Sequence, residues 1–285
     1  MSSFIHTTIA ALARANPALV AAAVSLHLLG LVMMGERWRV IITSMGAEIT
    51  LARSTLVNLA GVFVRNVTPA SGIGGDAVRI GLFRSAGVPL ANAALTLVCG
   101  RIVEAPAIGA LVLVGLPAIG AAAARSKAAL IIVLALAATL GIVGAARHPH
   151  GTLAEWRERV GLTRLPGSAI AIATAWASAT WLETMIRLMV VSAALGVRLT
   201  IAQGAALTVF SIVGGLVPTV GGLGAIEGSL VTGLLLFGVP AGTATAITLV
   251  ERAITYALST AIGAAALAAI GGRDALRFAR KAPAP

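Results

Sequence analysis

The sequence predicts an all-α integral membrane protein of about five full spans and two re-entrant, broken-helix hairpins set in an inverted repeat. Three observations predict it. Charge is scarce: of 285 residues, 58% are hydrophobic and 11% charged, and the mean hydropathy is +0.98. A soluble domain carries roughly 25% charged residues to keep its surface wet. Apolar runs long enough to cross ~30 Å of hydrocarbon recur along the chain. Two further apolar runs are interrupted by glycine and proline in mid-run, and the two resemble each other.

Taken in order, residues 17–35 form the first span, closed by Glu36-Arg37-Trp38-Arg39 as an interfacial stop. Residues 54–67 are too short to cross, since about 14 residues rise only ~21 Å as a helix. That run breaks at 68–75 and resumes at 76–86, so 54–86 reads as one broken hairpin. Residues 90–116 and 128–146 are full spans, and 147–167 is a polar connection. Residues 168–195 span again. A second broken hairpin, 201–238, is interrupted by Pro218-Thr219-Val220-Gly221-Gly222, and 241–270 is the last span before a basic tail at 271–285. The chain is one membrane domain, with repeat one at 17–116 and repeat two at 168–270. Its 32 glycines suit closely packed membrane helices.

The repeat rests on spacing. One copy reads Pro69-x-x-Gly72-x-x-Gly75-Asp76, then Gly87-Val88-Pro89, Ala93 and Arg101; the other reads Pro218-x-x-Gly221-x-x-Gly224, then Glu227, Gly238-Val239-Pro240, Ala244 and Arg252. From the acid to the arginine the copies keep a constant offset of 151. Three spans between the hairpins place them on opposite faces, as an inverted repeat requires. Of the 21 Lys and Arg, thirteen fall on the face holding 36–53, 79–86, 147–167 and the tail, and four (Arg14, Arg125, Lys127, Arg198) on the other. Positive residues gather on the cytoplasmic side, which predicts the cell inner (cytoplasmic) membrane, an outside N-terminus and an inside C-terminus.

The net charge of +11 follows the ends of apolar runs, which fits lipid headgroups and excludes a nucleic-acid face. The single cysteine, Cys99, excludes an internal disulfide and a cysteine-cluster metal site. The histidines have no ligand spacing, and no nucleotide loop or nucleophile elbow is present, so neither a metal nor a cofactor is expected.

Charge inside lipid needs a reason, because each instance is costly. Arg65, Arg101, Arg187 and Arg252 lie in membrane runs, and Asp76, Glu104, Glu183, Glu227 and Glu251 in or beside them. Glu183 with Arg187 at i, i+4, and Arg101 with Glu104 at i, i+3, share helix faces. Such pairs either neutralise each other and fix packing or line a site. Glu251 and Arg252 are adjacent, point apart and need partners on other helices. Unwound backbone at membrane depth must line a cavity or be buried by protein. A half-helix starting at Gly74-Gly75 or Gly221-x-x-Gly224 would aim free N–H groups at an anionic headgroup. Asp76 is placed either to cap those N–H groups or to line the site, and Arg65 and Arg79 flank the break as phosphate partners.

The run Glu36-Arg37-Trp38-Arg39, Asn66-x-x-Pro69-x-x-Gly72-x-Gly74-Gly75-Asp76-x-x-Arg79 and Arg101 resembles the membrane domain of lysylphosphatidylglycerol synthases and of stand-alone flippase-like proteins. The second half agrees through Pro218-x-x-Gly221-Gly222-x-Gly224-x-x-Glu227, Gly238 and Glu251-Arg252, so the resemblance covers residues 17–270. It implies a lipid-translocating domain whose two re-entrant elements face a lipid-holding cavity. No synthase domain follows Ile270, so aminoacyl transfer is not expected, and one helix fewer at the start agrees with an outside N-terminus. The expectation is flippase-like translocation, not enzymatic, of an anionic or aminoacylated phospholipid or a polyprenyl-phosphate-linked lipid. Arg79, Arg101 and Arg252 would receive phosphate, and Asp76 and Glu227 would cap or gate the cavity. The partners are lipid and membrane, and a homo-oligomer stays open. Two other classes fit the same residues: a membrane-embedded lipid transferase with Asp76, Glu227 or Glu251 as base, and a non-transporting partner of a lipid-modifying enzyme.

Overall fold

In a computed structural model of the chain, residues 2–68, 73–124, 165–217 and 219–271 are described. The expected span at 128–146, most of the polar connection, the basic tail and the prolines of both breaks lie outside them. Within them every element is helical and none is a strand.

The first helix, α1 (Ser2–Ala13), was not foreseen from the sequence. Asn16 then caps α2 (Pro17–Ser44), its side chain accepting from the amides of Ala18 and Leu19, with Pro17 preset for the first helical turn. Thr50 caps α3 (Leu51–Val67), and α4 (Ile73–Ser85) follows the first break. Pro89 opens α5 (Leu90–Ile102), and α6 (Ala105–Ala123) continues it after a turn at Val103 and Glu104. Pro106 has no N–H for the carbonyl of Ile102, so the ladder cannot run straight through.

The second half repeats this order. Helix α7 (Gly167–Ala194) matches α2 at 28 residues each. Thr200 caps α8 (Ile201–Gly214) with a reciprocal bond from Gln203. A 3-10 turn at Val220–Gly222 leads to α9 (Ala225–Leu236). Pro240 opens α10 (Ala241–Arg252), a π-helical segment Ala253–Leu258 follows, and α11 (Ser259–Ala269) ends the described chain. Both last spans therefore depart from α geometry just after Arg101 and Arg252.

Packing is reciprocal. Helices α2 and α7 lie against each other, α3 packs on α11, and α8 packs on α6. Each hairpin thus leans on the last span of the opposite half. Glycines make the approach close: a Cβ at Gly263 would lie 2.5 Å from the carbonyl oxygen of Leu59, and one at Gly115 would lie 2.9 Å from the amide of Ala206. Two main cores result, one around Trp38, Ile42, Val57, Leu82 and Phe83, the other around Leu188, Leu207, Phe210, Leu234 and Ile247 with Ala23, Leu111 and Ile119 of the first half. Among the described residues, four helices are long and apolar enough to cross a membrane, at 17–44, 90–122, 167–194 and 241–269. Large side chains such as Ile9, Leu113 and Ile201 are exposed on the outside, where only lipid suits them.

Candidate functional site

Each break is a helix end. At the first, α3 stops at Val67 and its cap Thr68 bonds back to Val64. At the second, the chain turns through Gly221 at φ 57° and Gly222 at φ 74°, and Gly224 at φ 82° precedes α9 with no side-chain cap. These left-handed dihedrals suit glycine, which has no Cβ to clash.

An acid stands in the first turn beyond each break, Asp76 on α4 and Glu227 on α9. Arg101 Nη2 donates to Asp76 Oδ2 at 3.4 Å, and Arg252 Nε donates to Glu227 Oε1 at 2.6 Å. Acid and arginine are 25 residues apart in both cases, so one ionic pair is built twice. Arg252 Nη2 also donates to the carbonyl of Gly221 at 3.0 Å, and its guanidinium lies 4.9 Å from the centroid of the Tyr256 ring.

The two breaks meet. Tyr256 donates its hydroxyl proton to the carbonyl of Asn66 at 3.0 Å, and Asn66 Nδ2 donates to Thr260 at 2.9 Å. A Cβ at Gly221 would lie 2.9 Å from that same carbonyl oxygen. Arg65, half-buried, lies within electrostatic reach of Arg101, Asp76, Glu104 and Arg252. It has no ion-pair partner among the described residues.

Four sequence expectations are corrected. Glu104 does not pair with Arg101: Arg37 Nη1 holds it at 2.6 Å, because the turn at Val103 and Glu104 interrupts the shared face. Arg37 is accordingly no interfacial residue; it is 2% exposed and Trp38 is 4% exposed, with the Trp38 ring against Gly100. The second half of the hairpin resumes at Ile73 and not Asp76, so Gly74 and Gly75 belong to α4. Gly75 faces the carbonyl of Gly61, and Gly74 faces Thr68, which makes both of them packing positions between α3 and α4. Arg79 also differs from a phosphate partner: it is 3% exposed, bound to Asp76 at 2.6 Å, and accommodated by the missing side chain of Gly61. It braces the acid from behind.

The remaining expected residues form a second cluster. Arg187 Nε donates to Glu183 at 3.0 Å, and Arg187 Nη1 donates to Glu251 at 2.8 Å. Glu251 and Arg252 do point apart, toward Arg187 and Glu227 respectively. Arg37 and Arg187 stand at an offset of 150, each buried on a long helix and each joined to the last span of its own half. Arg37 entered the sequence reading only as part of an interfacial stop and Asn66 only within the resembling motif, and Tyr256 was missed. The offset of 151 read from the sequence lands on Glu36, one residue short of Arg37, and Tyr256, the one tyrosine in the chain, sits one helical turn beyond Arg252.

Summed over the breaks, Arg65, Arg79, Arg101 and Arg252 face Asp76 and Glu227, leaving two positive charges in excess, with Glu104 already neutralised by Arg37. Arg101 is 53% exposed in its side chain and open to a ligand. A separate cavity of about 200 Å³, lined by Ala118, Thr200, Gln203, Leu236 and Phe237 among others, lies at the far end of the α8–α9 hairpin and has no charged lining residue.

A family profile described as Lysylphosphatidylglycerol synthase TM region matches residues 4–263. The chain belongs to this family. The match takes in α1 as well as both breaks and both ionic pairs. With the apolar helices, membership makes this a multi-pass membrane protein of a lipid-related family. No curated protein matches the chain.

Proposed function

We propose that this family member carries a lipid with an anionic headgroup between the leaflets of the cytoplasmic membrane, in the manner of a flippase. The substrate class is an anionic or aminoacylated phospholipid or a polyprenyl-phosphate-linked lipid. The observation that supports this reading is the excess of two positive charges where the breaks abut, with Arg101 open and the first turn of α9 uncapped. Phosphate is what such a place suits: guanidinium groups bind its oxygens in fixed geometry, and helix N-termini favour anions.

In this reading Arg65, Arg101 and Arg252 receive the phosphate, releasing Asp76 and Glu227 from their partners as it enters. The carboxylates hold the arginines in place between loads. The halves act as inverted repeats whose rocking opens the site to one leaflet and then the other, with the N-terminus outside and the C-terminus inside. Acyl chains stay in the bilayer, so only the headgroup needs a polar path.

Liposomes carrying the purified protein and a fluorescent anionic phospholipid test the proposal. Crossing between leaflets should be rapid with wild-type protein and fall at least tenfold with Arg101→Ala or Arg252→Ala. Folded protein that moves neither phospholipid nor polyprenyl phosphate would rule this reading out and favour a non-transporting partner of a lipid-modifying enzyme.

A further inference from the structure

The cluster around Arg187 holds more negative charge than its own partners neutralise. Glu183, Glu251 and Arg187 are 7%, 5% and 3% exposed, and they lie inside the membrane-length helices 167–194 and 241–269. Two carboxylates share one guanidinium, and each gives it a single oxygen. The second oxygen of Glu251 is buried with no hydrogen-bond partner. The second oxygen of Glu183 is pressed against α2, where a Cβ at Gly30 would lie 2.5 Å away, and it meets only the Thr184 hydroxyl at 3.5 Å.

Among the described residues no other cation pairs with either carboxylate. On α2 the nearest titratable group is His27, buried and hydrogen-bonded to Ser259 at 2.6 Å, within electrostatic reach of Arg187. On α10 the facing cation is Arg252, which is engaged by Glu227 and the carbonyl of Gly221. Helices α6, α8 and α11 carry no charged residue. Counted over the described residues, the cluster holds one carboxylate more than its guanidinium pairs, in surroundings where an unpaired charge is strongly disfavoured.

We propose that Glu183 and Glu251 hold one shared proton above Arg187, and that this proton is the ion coupled to the lipid step. An O–H bond forms at the free oxygen of Glu251 or Glu183 when a proton arrives from water, and breaks when it leaves. A guanidinium already stands between the two carboxylates, bonded to one oxygen of each. The position also suits a switch: Glu251 adjoins Arg252, so the proton site and the phosphate site sit on consecutive residues of α10. The coupling half rests on the lipid-translocation reading; the proton site does not.

Infrared spectroscopy of the purified protein in liposomes reads the proton directly. Near neutral pH a protonated-carboxyl band should be present. Glu183→Gln and Glu251→Gln should each remove the intensity of one carboxyl, and the double variant should remove no more. Gln keeps the shape, and unchanged thermal melting confirms each fold. A band absent from wild type, or undiminished in either variant, overturns the proton site. An imposed pH gradient should speed lipid crossing at least threefold in wild type and have no effect in Glu251→Gln. Crossing indifferent to the gradient in wild type overturns the coupling, while absence of all crossing sinks the translocation reading and leaves the infrared result standing.

Discussion

Arg101 and Arg252 occupy equivalent places but differ in what they hold. Arg252 is 12% exposed in its side chain and binds Glu227, the Gly221 carbonyl and the Tyr256 ring. Removing it strands a partly buried carboxylate, so Arg252→Ala should destabilise the protein by about 1–3 kcal/mol, and adding Glu227→Gln should recover most of the loss. Arg101 is mostly exposed and its bond to Asp76 is long, so Arg101→Ala should cost under about 1 kcal/mol. Thermal melting in detergent separates the two. Equal losses would mean the two pairs are alike in burial despite their geometry. The sequence carried much of this: it named both arginines, both acids, the Glu183–Arg187 pair and the divergence of Glu251 from Arg252. It did not carry the partner of Glu104, because i, i+3 spacing assumes a continuous helix and Pro106 ends one.

At the scale of elements, glycine sets the distances. Helices α3 and α4 close on each other where Gly75 meets the carbonyl of Gly61. Gly75→Ala would place a Cβ 2.5 Å from that oxygen and should destabilise the protein by about 1–3 kcal/mol, with a matching loss of order in the hairpin. Gly109→Ala, with open space around it, is the control and should be neutral in the same melting assay. The broken hairpins and most spans could be read from apolar run length and from glycine and proline positions. Helix α1 could not, since its residues fall short of a full span; its place comes from docking on α10, where Thr7 fills the space left by Gly242.

For the whole molecule, the reciprocal packing of hairpins on opposite spans makes a definite claim about orientation. Glu48 and Arg198 stand at an offset of 150 in the turns that follow α2 and α7, and both are exposed. In a Cys99→Ala background, Glu48→Cys should react with a membrane-impermeant maleimide only from inside, and Arg198→Cys only from outside. Labelling of both from one side would exclude an inverted arrangement. Repeat spacing and charge asymmetry suggested this arrangement from the sequence. That the two breaks touch was not legible, because no local pattern records which backbone carbonyl a distant tyrosine will reach.

The π-helical segment after Arg252 stores a surplus residue. A π turn takes up about one residue more than an α turn, so α10 and α11 together are longer in sequence than in space. The first half, interrupted by a proline turn at the matching place, holds no such slack of its own. The halves are therefore alike in outline but unequal in detail: the surplus residue lies in the segment that carries Tyr256 to Asn66, and α5 and α6 have no counterpart to it.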